Sequence, residues 1–339
     1  MKFLKYILFL LLIAIIGIAI YIAVQPDSFN VSRTRTINAP KEVIYNQIID
    51  FKNWEAWSPW LEKNPSTIVT LPEQTEGVGG SYLWEDADGK GKIETLSAEA
   101  NASIEQQMQF EDFPPSNINW VLESNDDGST NVNWRMTGND LPFGFKAYTA
   151  FEGSMEEQVG PDYERGLEKL DSLVHAEMKK YAITVNGITE HGGGYYLYNT
   201  SSSKISDIEN KMTELMSKLL DYSKKNNVLI AGAPFTSYHK WDEKNNATIF
   251  SCCIPTTEKI ISNQSDILTG QLEAFKAVKT TLQGDYEYLA EAWDTIMDYI
   301  PDNGLEYTEN GPMLETYITD PSKEVNPANW ITEIYIAVK

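Results

Sequence analysis

The sequence predicts an α+β protein built of three consecutive parts, and three observations indicate them. Apolar residues and one glycine run over residues 6–24, which is long enough for a transmembrane helix. Short segments of alternating polarity follow, and a helical apolar stripe closes them. The rest of the chain repeats one order of strands and helix. We therefore expect a membrane anchor over residues 1–27, one domain over 28–180 and another over 181–339.

The composition favours packed, ligand-binding domains. A chain of 339 residues is long enough for two domains that each bury a core. Its hydrophobic content of 42% and aromatic content of 12% are ample for such cores, and they favour aromatic-lined cavities. The formal net charge of -22 would repel phosphate backbones, so we expect no nucleic-acid binding. Cations, cationic ligands and basic protein partners are compatible with this charge.

The apolar N-terminal stretch fits an uncleaved anchor that contacts the membrane through residues 4–24. Lys2 and Lys5 precede it, and Gln25-Pro26-Asp27 ends it. A cleaved signal peptide is the alternative, but it needs a shorter apolar region and a small-x-small exit that this sequence does not offer. The short basic N-terminus favours a single-pass topology with this end in the cytoplasm, although basic residues also follow the span. We therefore expect the soluble domains outside the cytoplasmic face.

The cysteine and histidine residues indicate neither a disulfide nor a metal site. Cys252 and Cys253 are neighbours in one apolar run, and adjacent residues of a strand point to opposite faces. We therefore expect two small buried side chains there. The three histidines are scattered without metal-ligand spacing, at His175, His191 and His239. We expect no metal and no cofactor.

The first domain begins with a predicted strand over residues 31–38, a helix, and a short second helix with a tryptophan at every third position. Those tryptophans, Trp54, Trp57 and Trp60, indicate packing more than a ligand platform. Further strands are predicted around residues 67–71, 80–84, 90–96, 103–110, 117–123 and 130–137. A closing helix is predicted over residues 161–180. This order predicts a helix-grip α+β domain.

The motif Thr36-Ile37-Asn38-Ala39-Pro40, followed by Asp50-Phe51-Lys52-Asn53-Trp54-Glu55-Ala56-Trp57-Ser58-Pro59-Trp60, resembles the opening signature of the START-like or SRPBCC superfamily. That superfamily includes polyketide cyclase/dehydratase-like proteins. The resemblance implies an apolar cavity between the sheet and the closing helix, which houses unrelated ligands in different members. No paired carboxylates or Ser-His-Asp arrangement in this part indicates catalysis.

The second domain repeats the order strand, helix, strand, strand over roughly eighty residues. Residues 187–190 are echoed by 270–273, helix 204–225 by helix 285–299, and Ala233-Pro234-Phe235-Thr236-Ser237-Tyr238 by Gly311-Pro312-Met313-Leu314-Glu315-Thr316-Tyr317. Each predicted helix carries one apolar face, so each can cover one face of a small sheet. We therefore expect two helix-backed sheets that meet or enclose a cleft.

The repeated half resembles the GyrI-like (gyrase-inhibitor-like) effector-binding domain. The resemblance is carried by Gly311-Pro312, Glu315-Thr316-Tyr317, Asp320-Pro321 and Trp330-Ile331-Thr332-Glu333-Ile334-Tyr335-Ile336. This module also occurs behind DNA-binding domains in AraC-type and MerR-type multidrug regulators. The resemblance implies that Glu315 lies in an aromatic cleft between the repeats, meets cationic or polar small molecules, and has Trp293, Tyr317 and Tyr335 as lining residues. No room for a helix-turn-helix precedes residue 181, which disfavours transcription regulation by this chain alone.

Glu315 is the residue on which we expect ligand binding to depend. Its counterpart in the first repeat is Thr236, so a charge breaks the repeat there. Burial among aromatic side chains would raise the pKa of a carboxyl group, and a cationic ligand would offset the cost through an ion pair and cation–π contacts. The alternative is a rim-exposed glutamate without a ligand. Glu333 is equally compatible with a ligand contact and with being a polar side chain at a strand edge that binds nothing.

Three functions from different classes are compatible with these features. The first is a membrane-anchored binding protein for lipophilic or cationic small molecules, with one cavity in each domain. The second is a hydrolase or cyclase that acts on a small electrophilic compound with Glu315 as general base. The third is a protein-interaction module whose acidic surface engages a basic partner. Binding is favoured because no second catalytic group is recognisable beside Glu315, and we assign no catalytic residue.

Overall fold

The computed structural model describes residues 2–339. These residues form two compact units, one ending at Glu177 and the other spanning Met178–Lys339. Residue 1, the first position of the predicted anchor, lies outside the described residues. Helix α1 spans Lys2–Ala23, and its segment Phe3–Ala23 is long and apolar enough to cross a membrane. Nearly all side chains of that segment are exposed, so it offers an apolar surface to its surroundings.

The first unit is an antiparallel sheet packed against helices, as the helix-grip prediction expects. Its strands are β1 (Phe29–Ile37), β2 (Ile68–Thr70), β3 (Ser81–Asp86), β4 (Gly89–Glu99), β5 (Ser103–Phe110), β6 (Ser116–Ser124) and β7 (Thr130–Gly138). Its helices after α1 are α2 (Lys41–Ile49), α3 (Trp54–Trp57), α4 (Pro59–Lys63), α5 (Phe143–Glu152) and α6 (Met155–Met178). The strands pair in the order β1-β7-β6-β5-β4-β3-β2. The predicted strands are all present in this sheet.

The closing helix α6 begins six residues before the predicted start at residue 161 and contains Pro161. Ser154 and Glu157 set the earlier start. The Glu157 backbone N–H donates to Ser154 Oγ at 3.3 Å, and the Ser154 N–H donates to Glu157 Oε2 at 2.9 Å. This reciprocal pair is a capping box, which satisfies N–H groups that a helix start leaves unpaired. Helix α5, which precedes it, was not predicted.

Aromatic side chains fill the space between the sheet and α6. Trp134 of β7 stacks on Tyr163 of α6 with ring centroids 3.7 Å apart, and on Trp120 of β6 at 4.3 Å. Trp54 and Trp57 of α3 complete this cluster and are at most 2% exposed. The sheet and the closing helix are therefore in direct contact at this level, where the START-like resemblance implies an apolar cavity.

The second unit is one antiparallel sheet with two helices. Its strands are β8 (Ala182–His191), β9 (Gly194–Ser203), β10 (Phe235–Asp242), β11 (Ala247–Thr256), β12 (Leu268–Leu272), β13 (Phe275–Gln283), β14 (Met313–Tyr317) and β15 (Ile331–Ala337). Its helices are α7 (Ile208–Lys225) and α8 (Leu289–Asp302). The strand order is β12-β9-β11-β10-β14-β15-β13-β8, so β10 and β14 lie side by side at the centre.

The duplication is present, and each repeat contains one strand more than predicted. Only Gly192 and Gly193 join β8 to β9, and only Glu273 and Ala274 join β12 to β13. Such short connections leave few turn residues between the strands. The sequence pattern therefore predicts a single strand at the start of each repeat, where the structure has a hairpin. The first strand of each repeat pairs within the other repeat, β8 with β13 and β12 with β9. The two repeats are therefore interlocked in one sheet, which corrects the expectation of two separate helix-backed sheets, because strands of each repeat pair with strands of the other.

Both helices cover the same face of this sheet, which we call the helix face. Cys252, Thr236, Glu315 and Ile334 lie opposite one another across β11, β10, β14 and β15, so their side chains share this face. Cys252 packs in the apolar cluster under α7, and Ile334 packs in the cluster under α8. The opposite face, which we call the open face, carries a third apolar cluster around Phe235.

Replacing Trp57 by alanine is expected to destabilise the first unit by about 3–5 kcal/mol, because it leaves a cavity among closely packed rings. Urea unfolding of the full chain, followed by tryptophan fluorescence, measures the change as a lower midpoint. Leu96→Ala is the control, since Leu96 lies in β4 of the same sheet and is 48% exposed. Its effect should stay within about 0.5 kcal/mol. Equal effects of the two substitutions would contradict the packing role of Trp57.

Candidate functional site

Glu315 is buried at the centre of the second unit, where the two repeats meet. It lies in β14 directly opposite Thr236 of β10, and it is 2% exposed. Its other strand neighbour is Ile334 of β15, which packs under α8. The expected position at the junction of the repeats is therefore observed. The side chain points to the helix face, into the space beside α8.

Three hydroxyl or indole groups donate hydrogen bonds to the Glu315 carboxylate. Tyr317 Oη donates to Oε1 at 2.6 Å, and Trp293 Nε1 of α8 donates to Oε2 at 2.8 Å. Tyr238 Oη of β10 lies 3.4 Å from Oε2 and is the weakest of the three donors. Thr236 Oγ1 lies 3.0 Å from Tyr317 Oη and can donate to it. The carboxylate is thus held by its own strand, the opposite repeat and a helix.

Further aromatic side chains surround these donors. The Tyr238 ring meets the rings of Trp293 and Trp241 edge-on, with centroids 5.4 and 5.8 Å apart. On the other side, the Tyr286 ring lies 5.7 Å from Tyr317. We call this set, namely Trp293, Tyr238, Tyr317, Tyr286 and Trp241, the aromatic box of Glu315. Its members come from both repeats.

Tyr238 and Tyr286 were not among the predicted site residues. A signal for Tyr238 exists in the sequence, because Thr236-Ser237-Tyr238 repeats the spacing of Glu315-Thr316-Tyr317. A tyrosine two residues after each of the two facing positions must lie on the same face as Glu315. Tyr286 lies in a short 3-10 turn before α8, and the helical pattern of the sequence places it on the same apolar face as Trp293, seven residues later.

Burial sets the titration of this site. It raises the pKa of Glu315 above the ordinary value of 4.5, although the hydrogen bonds from Trp293, Tyr317 and Tyr238 oppose the shift. Burial, together with the neighbouring carboxylate, also holds the pKa of Tyr238 and Tyr317 well above 10. Within the described part of the chain, no lysine, arginine or histidine pairs with Glu315. The charge of this carboxylate is therefore stabilised by neutral donors alone.

The structure does not bring Tyr335 together with Glu315, which corrects the expected lining of the cleft. Tyr335 lies opposite Leu314 in the β14–β15 pair, whereas Glu315 lies opposite Ile334. Because directly opposed residues share a face, Tyr335 belongs to the open face and packs in the cluster around Phe235. Glu333 lies on that open face too, where it accepts a hydrogen bond from Tyr335. The two Glu-x-Tyr segments therefore face opposite ways.

On the open face, Glu333 has a cationic partner. Glu333 pairs with Lys279 of β13, and this partner together with Tyr335 lowers the pKa of Glu333 against the effect of partial burial. Glu333 is therefore compensated by a cationic side chain, in contrast to Glu315. The two carboxylates differ in partner, in face and in the direction of their pKa shifts.

The cysteines are free and buried on opposite faces, Cys252 under α7 and Cys253 in the open-face cluster. Among residues 2–339, no group of three or more His, Cys, Asp or Glu side chains is placed to hold a metal ion.

The solved structures that are similar to parts of this chain are remote in sequence. The crystal structure of the EcmrR C-terminal domain is 21% identical, has a TM-score of 0.40, and covers 47% of this chain and 98% of that chain. The cryo-EM structure of an EcmrR–DNA complex is 20% identical, has a TM-score of 0.41, and covers 55% and 68%. A crystal structure of a protein from Mycobacterium smegmatis is 19% identical, has a TM-score of 0.32, and covers 43% and 91%. No curated protein matches the chain.

Family models account for most of both units. The polyketide cyclase / dehydrase and lipid transport family matches residues 28–175. The GyrI-like small molecule binding domain matches residues 195–339. Both are domain types that bind small molecules, and their order is the order that the sequence motifs predict. The chain therefore joins a START-like domain of the polyketide cyclase / dehydrase and lipid transport family to a GyrI-like small molecule binding domain.

Proposed function

We propose that the second unit binds a small lipophilic cation at Glu315. The observation that carries this proposal is a carboxylate that is 2% exposed, held by three neutral donors, and paired with no cationic side chain within residues 2–339. Neutral donors favour the ionised form but cancel none of its charge. A ligand cation would supply the missing positive charge in an environment where Coulomb attraction is strong.

The aromatic box supports a lipophilic ligand over a small hydrated ion. Tyr and Trp rings offer apolar contact area, and their faces attract organic cations. A hydrated ion would have to shed water in exchange for ring faces and a single carboxylate. A delocalised organic cation has little hydration to lose. The site therefore favours a bulky apolar cation.

Trp293 is the side chain that covers Glu315 and that a ligand has to displace. Its indole donates to Oε2, and the residue itself is half-buried on α8, whereas Glu315 beneath it is buried. Rotation of this indole removes one donor from Oε2 and leaves the Tyr317 bond to Oε1 in place. The freed carboxylate oxygen would then face the cation.

Nucleic-acid binding is not part of this proposal. The EcmrR complex among the compared structures contains DNA. The present chain carries a formal net charge of -22, which opposes contact with phosphate backbones. We propose that its ligand-binding unit works without nucleic acid.

We propose further that residues 4–24 anchor the chain in a membrane as a single pass, with the N-terminus in the cytoplasm and residues 28–339 outside it. The apolar segment Phe3–Ala23 supports the span, and the basic N-terminus supports the direction. The domain bounds that we propose are 28–180 and 181–339. Each contains one of the segments matched by a family model.

Glu315→Gln is expected to abolish the stabilisation of the second unit by tetraphenylphosphonium, because the amide keeps the size of the side chain and loses its charge. At a hundredfold excess over Kd, a ligand stabilises the folded state by about 2.7 kcal/mol. A thermal-shift titration of the full chain in detergent measures this as a rise in Tm for the natural protein and its absence in the variant.

Glu333→Gln is the matched control for this titration, since it removes a carboxylate from the open face of the same sheet. Its response to tetraphenylphosphonium should equal that of the natural protein. The neutral compound triphenylphosphine oxide serves as a ligand control and should not distinguish the three proteins. Stabilisation by the cation that survives Glu315→Gln would refute the assignment of the site.

The proposed anchor is expected to keep the full chain in the membrane fraction after extraction with alkaline carbonate. Deleting residues 3–27 removes the apolar segment and should release both units as soluble protein. In spheroplasts of a bacterial host, external protease should digest the units if they lie outside the cytoplasm. Release of the full chain by carbonate would contradict the anchor, and protection from protease would contradict its direction.

A further inference from the structure

Helix α5 exposes an aromatic face that the proposed ligand site does not use. Phe143, Tyr148 and Phe151 are 53%, 44% and 66% exposed. Viewed down the helix axis, Phe151 lies between Phe143 and Tyr148, and Tyr148 lies at the edge of this exposed arc, next to the buried Phe145, whose ring centroid is 6.3 Å away. Three large exposed rings on ten residues give this helix an unusually apolar surface, and exposed apolar surface of this kind commonly marks a contact with another surface.

The structure ties α5 to the end of the proposed anchor. Helices α1 and α5 contact each other within the first unit. The Leu141 backbone N–H, just before α5, donates to the carbonyl oxygen of Asp27, just after α1, at 2.9 Å. Ile22, in the last turn of α1, is 5% exposed, whereas residues 3–18 of that helix are all exposed. The start of α5 is therefore fixed beside the C-terminal end of α1.

Aromatic contacts also hold the inner side of α5 to the sheet. The Phe145 ring lies 6.0 Å from Phe29, at the start of β1, and 5.4 Å from Phe113, in the loop between β5 and β6. The Phe113 ring also lies 6.4 Å from Tyr148. These contacts hold Phe145 and one side of the Tyr148 ring against the sheet, and they leave Phe143 and Phe151 exposed.

We propose that α5 lies on the bilayer surface and that Phe143, Tyr148 and Phe151 insert into the interfacial layer beside α1. This inference rests on the proposed membrane anchor. If α1 spans the bilayer, its end at Ala23 lies at the interface, and the Leu141–Asp27 bond places α5 at the same level. Tyrosine is enriched at that depth because its ring is apolar and its hydroxyl group is polar, and phenylalanine is common on the buried face of helices that lie in the interface.

Docking of α5 on the bilayer would be driven by apolar contact and not by attraction to anionic lipid, because the residues around α5 are mainly acidic. Asp112, Asp140 and Glu152 are exposed beside or within the helix, and Lys146 is the one basic residue on it. This local charge would repel an anionic surface. Docking should therefore occur on a zwitterionic bilayer and should not weaken when salt is added.

Spin-label accessibility in phosphatidylcholine vesicles tests this inference with the full chain. A nitroxide is attached through Phe151→Cys, and separately through Tyr148→Cys so that the result does not depend on one substitution. Ala100→Cys is the aqueous control, in the turn between β4 and β5 at the opposite end of the same sheet. Ile13→Cys, in the middle of α1, reports on the anchor. Both native cysteines are buried and should take up little label.

The expected result is a ratio of oxygen to nickel-complex collisions at positions 148 and 151 several-fold above that at position 100, and below that at position 13. Water-like ratios at 148 and 151, with position 13 inside the bilayer, would overturn the docking and leave the anchor standing. A water-like ratio at position 13 would overturn the anchor together with the docking. Protection of 148 and 151 from both reagents would mean that protein covers α5, and it would overturn the contact with lipid.

Discussion

Burial of one carboxylate at the centre of a sheet is the constraint on which the second unit depends. An ionised glutamate without water requires compensating partners, and Glu315 obtains donors from three separate elements. Tyr317 comes from its own strand, Tyr238 from the other repeat and Trp293 from α8. The register of β10 against β14 and the position of α8 are both fixed by this arrangement. A slip of one residue would move Tyr238 to the open face.

The duplication explains why the site has symmetric aromatics and a single charge. Thr236 and Glu315 face each other across the central strand pair, and a tyrosine follows each of them two residues later. Two carboxylates in those positions would repel each other at short range. The threonine instead contributes a hydroxyl group to Tyr317. A single carboxylate can thus balance the charge of a single cation, and aromatic side chains of both repeats surround the pair.

Sequence patterns predicted the features of the fold that depend on the spacing of residues along the chain. They predicted the strands of the first unit, the repeat, and Glu315 at its junction. The family resemblance placed Tyr335 beside Glu315, which is wrong because the face that each side chain takes depends on the register between β14 and β15. The position of Tyr238 follows from the repeat, because Thr236-Ser237-Tyr238 has the same spacing as Glu315-Thr316-Tyr317. The capping pair of Ser154 and Glu157 was likewise readable in the sequence, whereas the contact of α5 with α1 depends on tertiary structure.

Calorimetric titration with tetraphenylphosphonium, in buffers that differ in ionisation enthalpy, tests the role of Glu315 most directly because it counts protons. Burial raises the pKa of Glu315 above 4.5, and a bound cation would lower it again by favouring the carboxylate. Below the raised pKa the empty site holds a proton that the cation displaces. The account predicts release of up to one proton per ligand, falling to none as the pH rises above that pKa. If the cation binds but no proton is released anywhere in the pH range from 4.5 upward, the account is contradicted.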